Sequence, residues 1–290
     1  MNIECIGDER YELGESPIWD PQDGVLYFVD CSARAILCYD PRSGDTKRWD
    51  VTCDYLGSLA LRTGGGAILV MDDGFHTFDF ETGTTTAIVE PEAGRADLCF
   101  NDCKVDRQGR LIAVSMHTGL TEPIAGLYRL DTDLTCNRLD GGFICSNGPC
   151  WSPDGGTLYV SDSNADAIFA YDYDPATGAA TNRRTFLSTA GSGGYPDGGT
   201  VDAEGHVWSA HFDSGTIRRI TPDGVVERVI ELPVQWVASL TFGGDNHDIL
   251  YFTTIGCDYG GKRDSSPQAG GLFAIYGLGI QGLAEPRFAG

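Results

Sequence analysis

Short apolar runs recur along the chain at a long, regular spacing. Leu26-Tyr27-Phe28, Ile68-Leu69-Val70, Leu111-Ile112-Ala113, Leu158-Tyr159-Val160, Val207-Trp208 and Leu250-Tyr251-Phe252 each follow a turn rich in Asp, Gly or Pro, and successive runs start about 42 to 49 residues apart. That is the period of β-propeller blades with four strands each. Behind the runs, segments 35–40, 126–131 and 167–172 alternate apolar and polar positions, as strands with one face against a neighbouring sheet do. Arg42-Ser43-Gly44, Ala176-Thr177-Gly178 and Pro222-Asp223-Gly224 supply hairpin turns between them. Helical periodicity is nearly absent. The pattern predicts an all-β chain, a six-bladed β-propeller occupying residues 1–290 as one domain. The segment from Asn2 to Leu13 is expected to pair with the last blade, because closure removes exposed strand edges.

The repeats differ where chemistry is possible. The first strand of each ends before the turn at Trp19, Leu61, Val105, Trp151, Val201 and Phe242, and four residues earlier stand Glu15, Gly57, Asn101, Asn147, Asp197 and Ala238. Innermost strands line a propeller's channel, so equivalent positions form a ring at one level. This ring brings two carboxylates and two amides together, and Gly57 and Ala238 are read as leaving room beside them. Converging oxygen donors with an open face suit a hard cation. Glu15 is fixed between Gly14 and a rigid Ser-Pro step, and Asp197 lies between Pro196 and two glycines, on a backbone that can approach a ligand closely.

Charge narrows the partners. With 42 acidic against 20 basic residues the formal net charge is −22, which disfavours phosphate backbones and anionic membrane surfaces. The expected partner is a small molecule, with no nucleic acid, no membrane and a monomeric or weakly self-associating chain. The start of the chain is polar and acidic and no apolar run approaches spanning length, so a cytoplasmic location is the expectation. Ten cysteines are scattered without a C-x-x-C pair, the pattern of reduced thiols. Cys99 and Cys103, and Cys145 and Cys150, flank the two ring asparagines. Small buried residues are favoured there over a thiolate zinc site or a disulfide.

Beyond the ring, His117 lies in a longer segment, 116–125, and is a candidate substrate contact. His211 ends a strand and reads as packed. Asp162 either holds a turn or faces the channel. The Gly-, Asp- and Ser-rich loop 256–270 is a candidate rim element.

Four stretches, Leu-Gly-Glu15-Ser-Pro-Ile-Trp, Phe-Asn101-Asp-x-Lys-Val-Asp, Ser-Asn147-Gly-Pro-x-Trp-Ser-Pro-Asp-Gly and Tyr-Pro196-Asp197-Gly, resemble the signature set of the SMP-30/gluconolactonase/regucalcin family in the same order. The resemblance runs from about Glu12 to Thr254. It implies a six-bladed propeller holding one divalent metal, with Glu15, Asn147 and Asp197 as metal ligands and Asn101 as a substrate contact. It also implies opening of sugar lactones, the Tyr-Pro-Asp-Gly and Ser-Asn-Gly-Pro stretches being similar to those of xylono-, arabino- and gluconolactonases. An all-oxygen shell favours Ca²⁺, Mg²⁺ or Mn²⁺, and family members are also found with zinc. The chain departs from the pattern at three places. Cys99 stands where many members carry an arginine that contacts substrate hydroxyls, Cys103 replaces a usual glycine, and Gly119 falls near a glutamate that helps bind sugar hydroxyls in some relatives. A sugar (aldono-) lactone opened to its aldonic acid remains the expected substrate, and loss of a forked donor suited to polyols leaves the sugar's identity open, with a less hydroxylated, non-sugar or aromatic lactone or ester as the alternative.

The implied reaction is metal-assisted hydrolysis of a lactone, with Asp197 as general base because no other carboxylate is equally placed in the channel. Serine-hydrolase chemistry is disfavoured, since no G-x-S-x-G elbow precedes a helix. Two other readings use the same ring or fold: a calcium-binding regulatory protein without significant turnover, and a propeller serving as an interaction platform. An oxygen-rich ring argues against the platform.

Overall fold

The structure is a computed structural model that describes residues 1–258 and 260–290. Among the described residues the strands form six four-stranded antiparallel sheets, arranged as the blades of a β-propeller. Five blades are built from consecutive strands. The sixth runs Asn2–Ile6, Leu272–Tyr276, Ile249–Thr254, Val237–Gly243, so the first strand of the chain closes the ring against the last. Its register runs from Asn2 opposite Tyr276 to Ile6 opposite Leu272, as closure demands. Leu13, at the end of the same segment, instead bridges Ile255. No helix among the described residues is long and apolar enough to cross a membrane.

Core side chains sit between adjacent blades. Val29 and Ile36 of the first blade meet Leu56, Leu59 and Leu69 of the second, and Trp208 and Ile217 of the fifth meet Leu240 and Phe242 of the sixth. Each apolar strand run buries both faces this way, which is why the runs are continuous rather than alternating. His76, which its outer-strand position suggests is solvated, is buried and bonded to Asp73 at 2.7 Å.

Two devices aim the innermost strands. First, the pairing of every innermost strand with its neighbour shifts register at the ring level: between Glu15 and Ile18, Leu56 and Ser58, Phe100 and Asp102, Asn147 and Cys150, Pro196 and Gly199, and Val237 and Leu240. A bulge bends the strand and re-aims a side chain. Second, in four blades a carboxylate accepts two consecutive backbone N–H groups just ahead of the bulge. Asp30 takes Glu12 and Leu13, Asp72 takes Asp54 and Tyr55, Asp162 takes Ile144 and Cys145, and Asp264 takes Gln235 and Trp236. Asp162 therefore holds the chain rather than facing the channel.

The turn ends of the innermost strands are tied by the C-terminal tail, residues 278–290. Its backbone bonds reach His247, Ala203, Leu61, Thr63 and Gly109 in four different blades. Arg287 pairs with Asp20 at 2.6 Å, and Glu285 pairs with buried Lys104 at 3.0 Å. Phe288 is fully buried among Phe100, Val105 and Leu130. The tail thus crosses the end of the channel away from the ring. Phe288→Ala is expected to cost about 3–5 kcal/mol in urea denaturation, while leaving the ring residues in place. A loss below about 1 kcal/mol would mean the tail is not part of the folded core.

Candidate active site

The opposite end of the channel holds a cavity of about 280 Å³ whose polar lining includes Glu15, Asn101, Asn147, Ser163 and Asp197. The bulges therefore bring together four of the residues singled out from sequence. The other two ring positions do something different from leaving space beside the donors. A Cβ on Gly57 would overlap the Asn101 carbonyl oxygen, so glycine there lets the second and third blades approach. Ala238 is fully buried with Trp236 and Ile255 and does not line the cavity.

Hydrogen bonds fix the amides. Asn101 Nδ2 donates to Asn147 Oδ1 at 2.7 Å and to the Ser146 carbonyl at 2.9 Å, while Tyr55 Oη donates to Asn101 Oδ1 at 3.3 Å. Asn147 Nδ2 donates to Ser163 Oγ at 3.0 Å, and Ser163 Oγ in turn donates to the Pro196 carbonyl at 2.7 Å. These contacts leave Asn147 Oδ1 on the side facing Asn101. Glu15 is held by the Ser16 backbone N–H at 3.0 Å. Ser16 has φ of 48°, a left-handed conformation that serine seldom adopts. Strain of that kind persists where the surroundings over-determine it and clusters at functional sites.

A third carboxylate, Asp102, stands beside these residues without lining the cavity. Asp102 is buried, and its oxygens accept from Ser16 Oγ at 3.1 Å, Ser58 Oγ at 3.3 Å, Cys103 N at 2.7 Å and Gly148 N at 2.9 Å. An Asn-Asp pair reads as a turn in isolation. Here it lies inside the strand Leu98–Val105. Four donors satisfy Asp102 and make it a strut. By contrast, the Asp197 carboxylate, 9% exposed, gains only a Gly198 backbone N–H. The residue lines the cavity.

Electrostatics set the remaining geometry in context. Burial pushes Glu15 well above the usual carboxylate range, with the Asp197 and then the Asp102 charge adding to the effect. Burial followed by Asp102 does the same to Asp197. No lysine or arginine among the described residues pairs with Glu15 or Asp197. Crowded carboxylates and an amide oxygen without a basic partner fit an oxygen-ligated divalent cation. A second acidic group, Asp202, Glu204 and His206, lies at the turn end of the fifth blade. There Arg219 pairs with Asp202, Glu204 and Glu227, so that group has its own counter-charge.

Cys99 and His117 do not line the cavity. Cys99 is buried with its thiol against the Phe100 carbonyl at 3.3 Å, and burial raises it to about 12. His117 Nδ1 accepts the backbone N–H groups of Thr121 at 3.2 Å and Glu122 at 2.8 Å, so its ring shapes a loop. Arg95 pairs with Asp97 on the surface. His211 is fully buried, and burial followed by the nearby Arg218 charge lowers it to about 3. All ten cysteines are free. Cys145 lines the cavity, and Cys103 touches Ser58 Oγ at 3.1 Å. In loop 256–270, Tyr259 lies outside the described residues.

The chain is similar to known proteins along nearly its whole length. The family described as SMP-30/Gluconolactonase/LRE-like region matches residues 13–256. Regucalcin of Xenopus laevis is 35% identical over 298 residues, spanning 100% of this chain and 99% of its own. A 6-deoxy-6-sulfogluconolactonase of Pseudomonas putida is 32% identical over 289 residues, spanning 99% of each. The solved structure of a calcium-binding protein, regucalcin, from Agrobacterium tumefaciens superposes with a TM-score of 0.91 at 25% identity, covering 98% of this chain and 96% of that one.

Two outcomes test the site's construction. Gly148 has φ of 51°, and a Cβ there would lie 2.7 Å from both Asp197 O and Gly199 N. Gly148→Ala is therefore expected to destabilise the fold by more than about 1–2 kcal/mol in chemical denaturation. A neutral change would contradict the close approach of the fourth and fifth blades. The second test uses the raised carboxylates. A carboxyl whose folded pKa exceeds its unfolded value binds its proton more tightly when folded, so it adds no penalty below about pH 4 and a growing one as pH rises toward the folded value. Chelated wild-type protein should thus lose thermal stability relative to Asp197→Asn as pH rises from about 4.5 to about 7.5. Parallel curves for the two proteins would remove the charge-crowding argument.

Proposed function

The chain belongs to the SMP-30/gluconolactonase/LRE-like family, and from that premise we propose that it is a divalent-cation-dependent lactonase, opening a cyclic ester to its hydroxy acid. The observation that carries the reading is the group Glu15, Asn147 and Asp197 around one small cavity, with two carboxylates that lack a basic partner. These three residues would hold the cation. When bound, it would supply Lewis-acid polarisation of the ester carbonyl and offset the carboxylate charges.

The side chains divide the remaining work. Asp197, short of hydrogen-bond donors, takes a proton from water as the water oxygen bonds to the carbonyl carbon. On collapse the ring C–O bond breaks, and the same proton passes from Asp197 to the departing alkoxide. Asn101, clamped between Tyr55, Ser146 and Asn147, orients the substrate at the cavity floor. Asp102 serves as a strut, its oxygens engaged by four donors. It keeps Ser16 and Gly148, the residues after Glu15 and Asn147, at fixed separation.

These groups read the ester and not the substituents on the ring, so aldonolactones and less hydroxylated lactones both fall within the reading. A calcium-binding role without turnover would use the same donors, and regucalcin-named relatives keep that alternative in view. Acid release from a panel of lactones separates the two. Chelated protein is expected to be inactive and to regain activity with Ca²⁺, Mg²⁺, Mn²⁺ or Zn²⁺. Asp197→Ala should lower kcat by at least about a hundredfold with the circular dichroism spectrum unchanged. Tight cation binding with no hydrolysis of any lactone would favour the binding protein.

A further inference from the structure

The upper wall of the cavity differs in chemistry from its floor. Leu13, Met116, Leu120, Phe212 and Ile255 line it, contributed by four different blades, and Tyr55 and Tyr195 add ring surface. Neither lysine nor arginine lines it among the described residues. A wall of this kind offers no forked donor for a polyol and no counter-charge for a sulfonate or phosphate.

One part of the wall is held at an energetic cost. Leu120 has φ of 55°, in the left-handed region that a leucine rarely occupies. Its loop is pinned on both sides. The Leu120 N–H donates to the His117 carbonyl at 2.8 Å, and the Leu120 carbonyl accepts from Asn164 Nδ2 at 3.0 Å. The His117 ring then takes the next two N–H groups, those of Thr121 and Glu122. A Cβ at Gly119 would meet the imidazole at 3.0 Å, so a larger residue there would press on the ring that pins the loop. Three residues cooperate to place one apolar side chain over the cavity, in a backbone conformation glycine or asparagine would fill more easily.

Resting on the lactonase reading, we infer that the substrate is an uncharged lactone bearing an apolar substituent, and that Leu120, presented by the His117 loop, reads that substituent. His117 acts through Leu120 and is a positioning residue. The ring ester lies against Asn101, Asn147 and Asp197, and the substituent extends along the apolar wall. Burying each added methylene against such a wall raises kcat/KM by about fourfold, until the wall is covered.

The test compares five-membered lactones on the cation-loaded protein: γ-butyrolactone, γ-valerolactone, γ-heptalactone and γ-nonalactone against ribono-1,4-lactone. The expected result is a rise in kcat/KM along the alkyl series, with the pentyl compound exceeding the polyol by at least tenfold. Leu120→Gly relieves the backbone and removes the side chain, so folding is not at risk. It should reduce the nonalactone-to-butyrolactone ratio by at least tenfold, and His117→Ala should do the same through the loop. Metal-restored hydrolysis that favours ribono-1,4-lactone, or a ratio unmoved by Leu120→Gly, would overturn the inference and leave the lactonase reading standing. No hydrolysis of any member, with or without cation, would overturn the reading and the inference with it.

Discussion

One buried carboxylate ties the working end of the propeller together. Asp102 accepts from Ser16, Ser58 and Gly148 as well as its neighbour Cys103, so it links the innermost strands of blades one to four at the level of the ring. A carboxylate taken from water without partners costs several kcal/mol. Here four donors offset that cost, and each donor belongs to a backbone or hydroxyl beside a ring residue. The geometry of Glu15 and Asn147 therefore depends on a residue that does not itself line the cavity. The same charge adds to the crowding felt by Glu15 and Asp197. What stabilises the scaffold crowds the site with charge, and on the proposed reading a bound cation would offset it.

The acidic excess of the chain is partly internal. Asp30, Asp72, Asp162 and Asp264 each hold two backbone N–H groups ahead of a ring strand. Asp20, Asp106 and Asp202 sit at the other ends of ring strands, are buried, and pair with Arg287, Arg110 and Arg219. Charge-assisted hydrogen bonds are stronger than neutral ones and more demanding in geometry. A repeated fold can use one such device in blade after blade, which turns a compositional bias into a means of fixing strand position. Net charge alone speaks only of solubility and partners.

The blades and the ring were legible because both rest on local, repeated signals. A turn followed by an apolar run marks each second strand, and a constant offset of four residues places Glu15, Asn101, Asn147 and Asp197 at one level. Asp102 was not legible, since Asn-Asp has the composition of a turn and only the partners across three blades show otherwise. Leu120 was equally hidden. A leucine in a loop carries no sign of its backbone conformation or of the histidine that fixes it. His117 was visible as a polar loop residue, yet its ring faces the loop's own N–H groups. The role of the C-terminal tail depends on pairings some 80 to 270 residues apart in sequence, such as Arg287 with Asp20 and Glu285 with Thr200, which no local window contains.

Floor and wall of the cavity are one electrostatic arrangement. Apolar side chains from several blades lower the local dielectric, and that same burial is the first cause of the raised carboxylates at Glu15 and Asp197. In such surroundings a charge interaction is worth several times its value in water. A polar wall would have hydrated the carboxylates and relaxed them toward ordinary acidity, weakening both their demand for a cation and the basicity of Asp197. On the proposed lactonase reading, the apolar wall would therefore serve binding and chemistry together. A substituent that covers it would exclude the remaining water and strengthen the field at the ester carbonyl, so on that reading selectivity for the substituent and power at the reacting bond would rise from the same side chains.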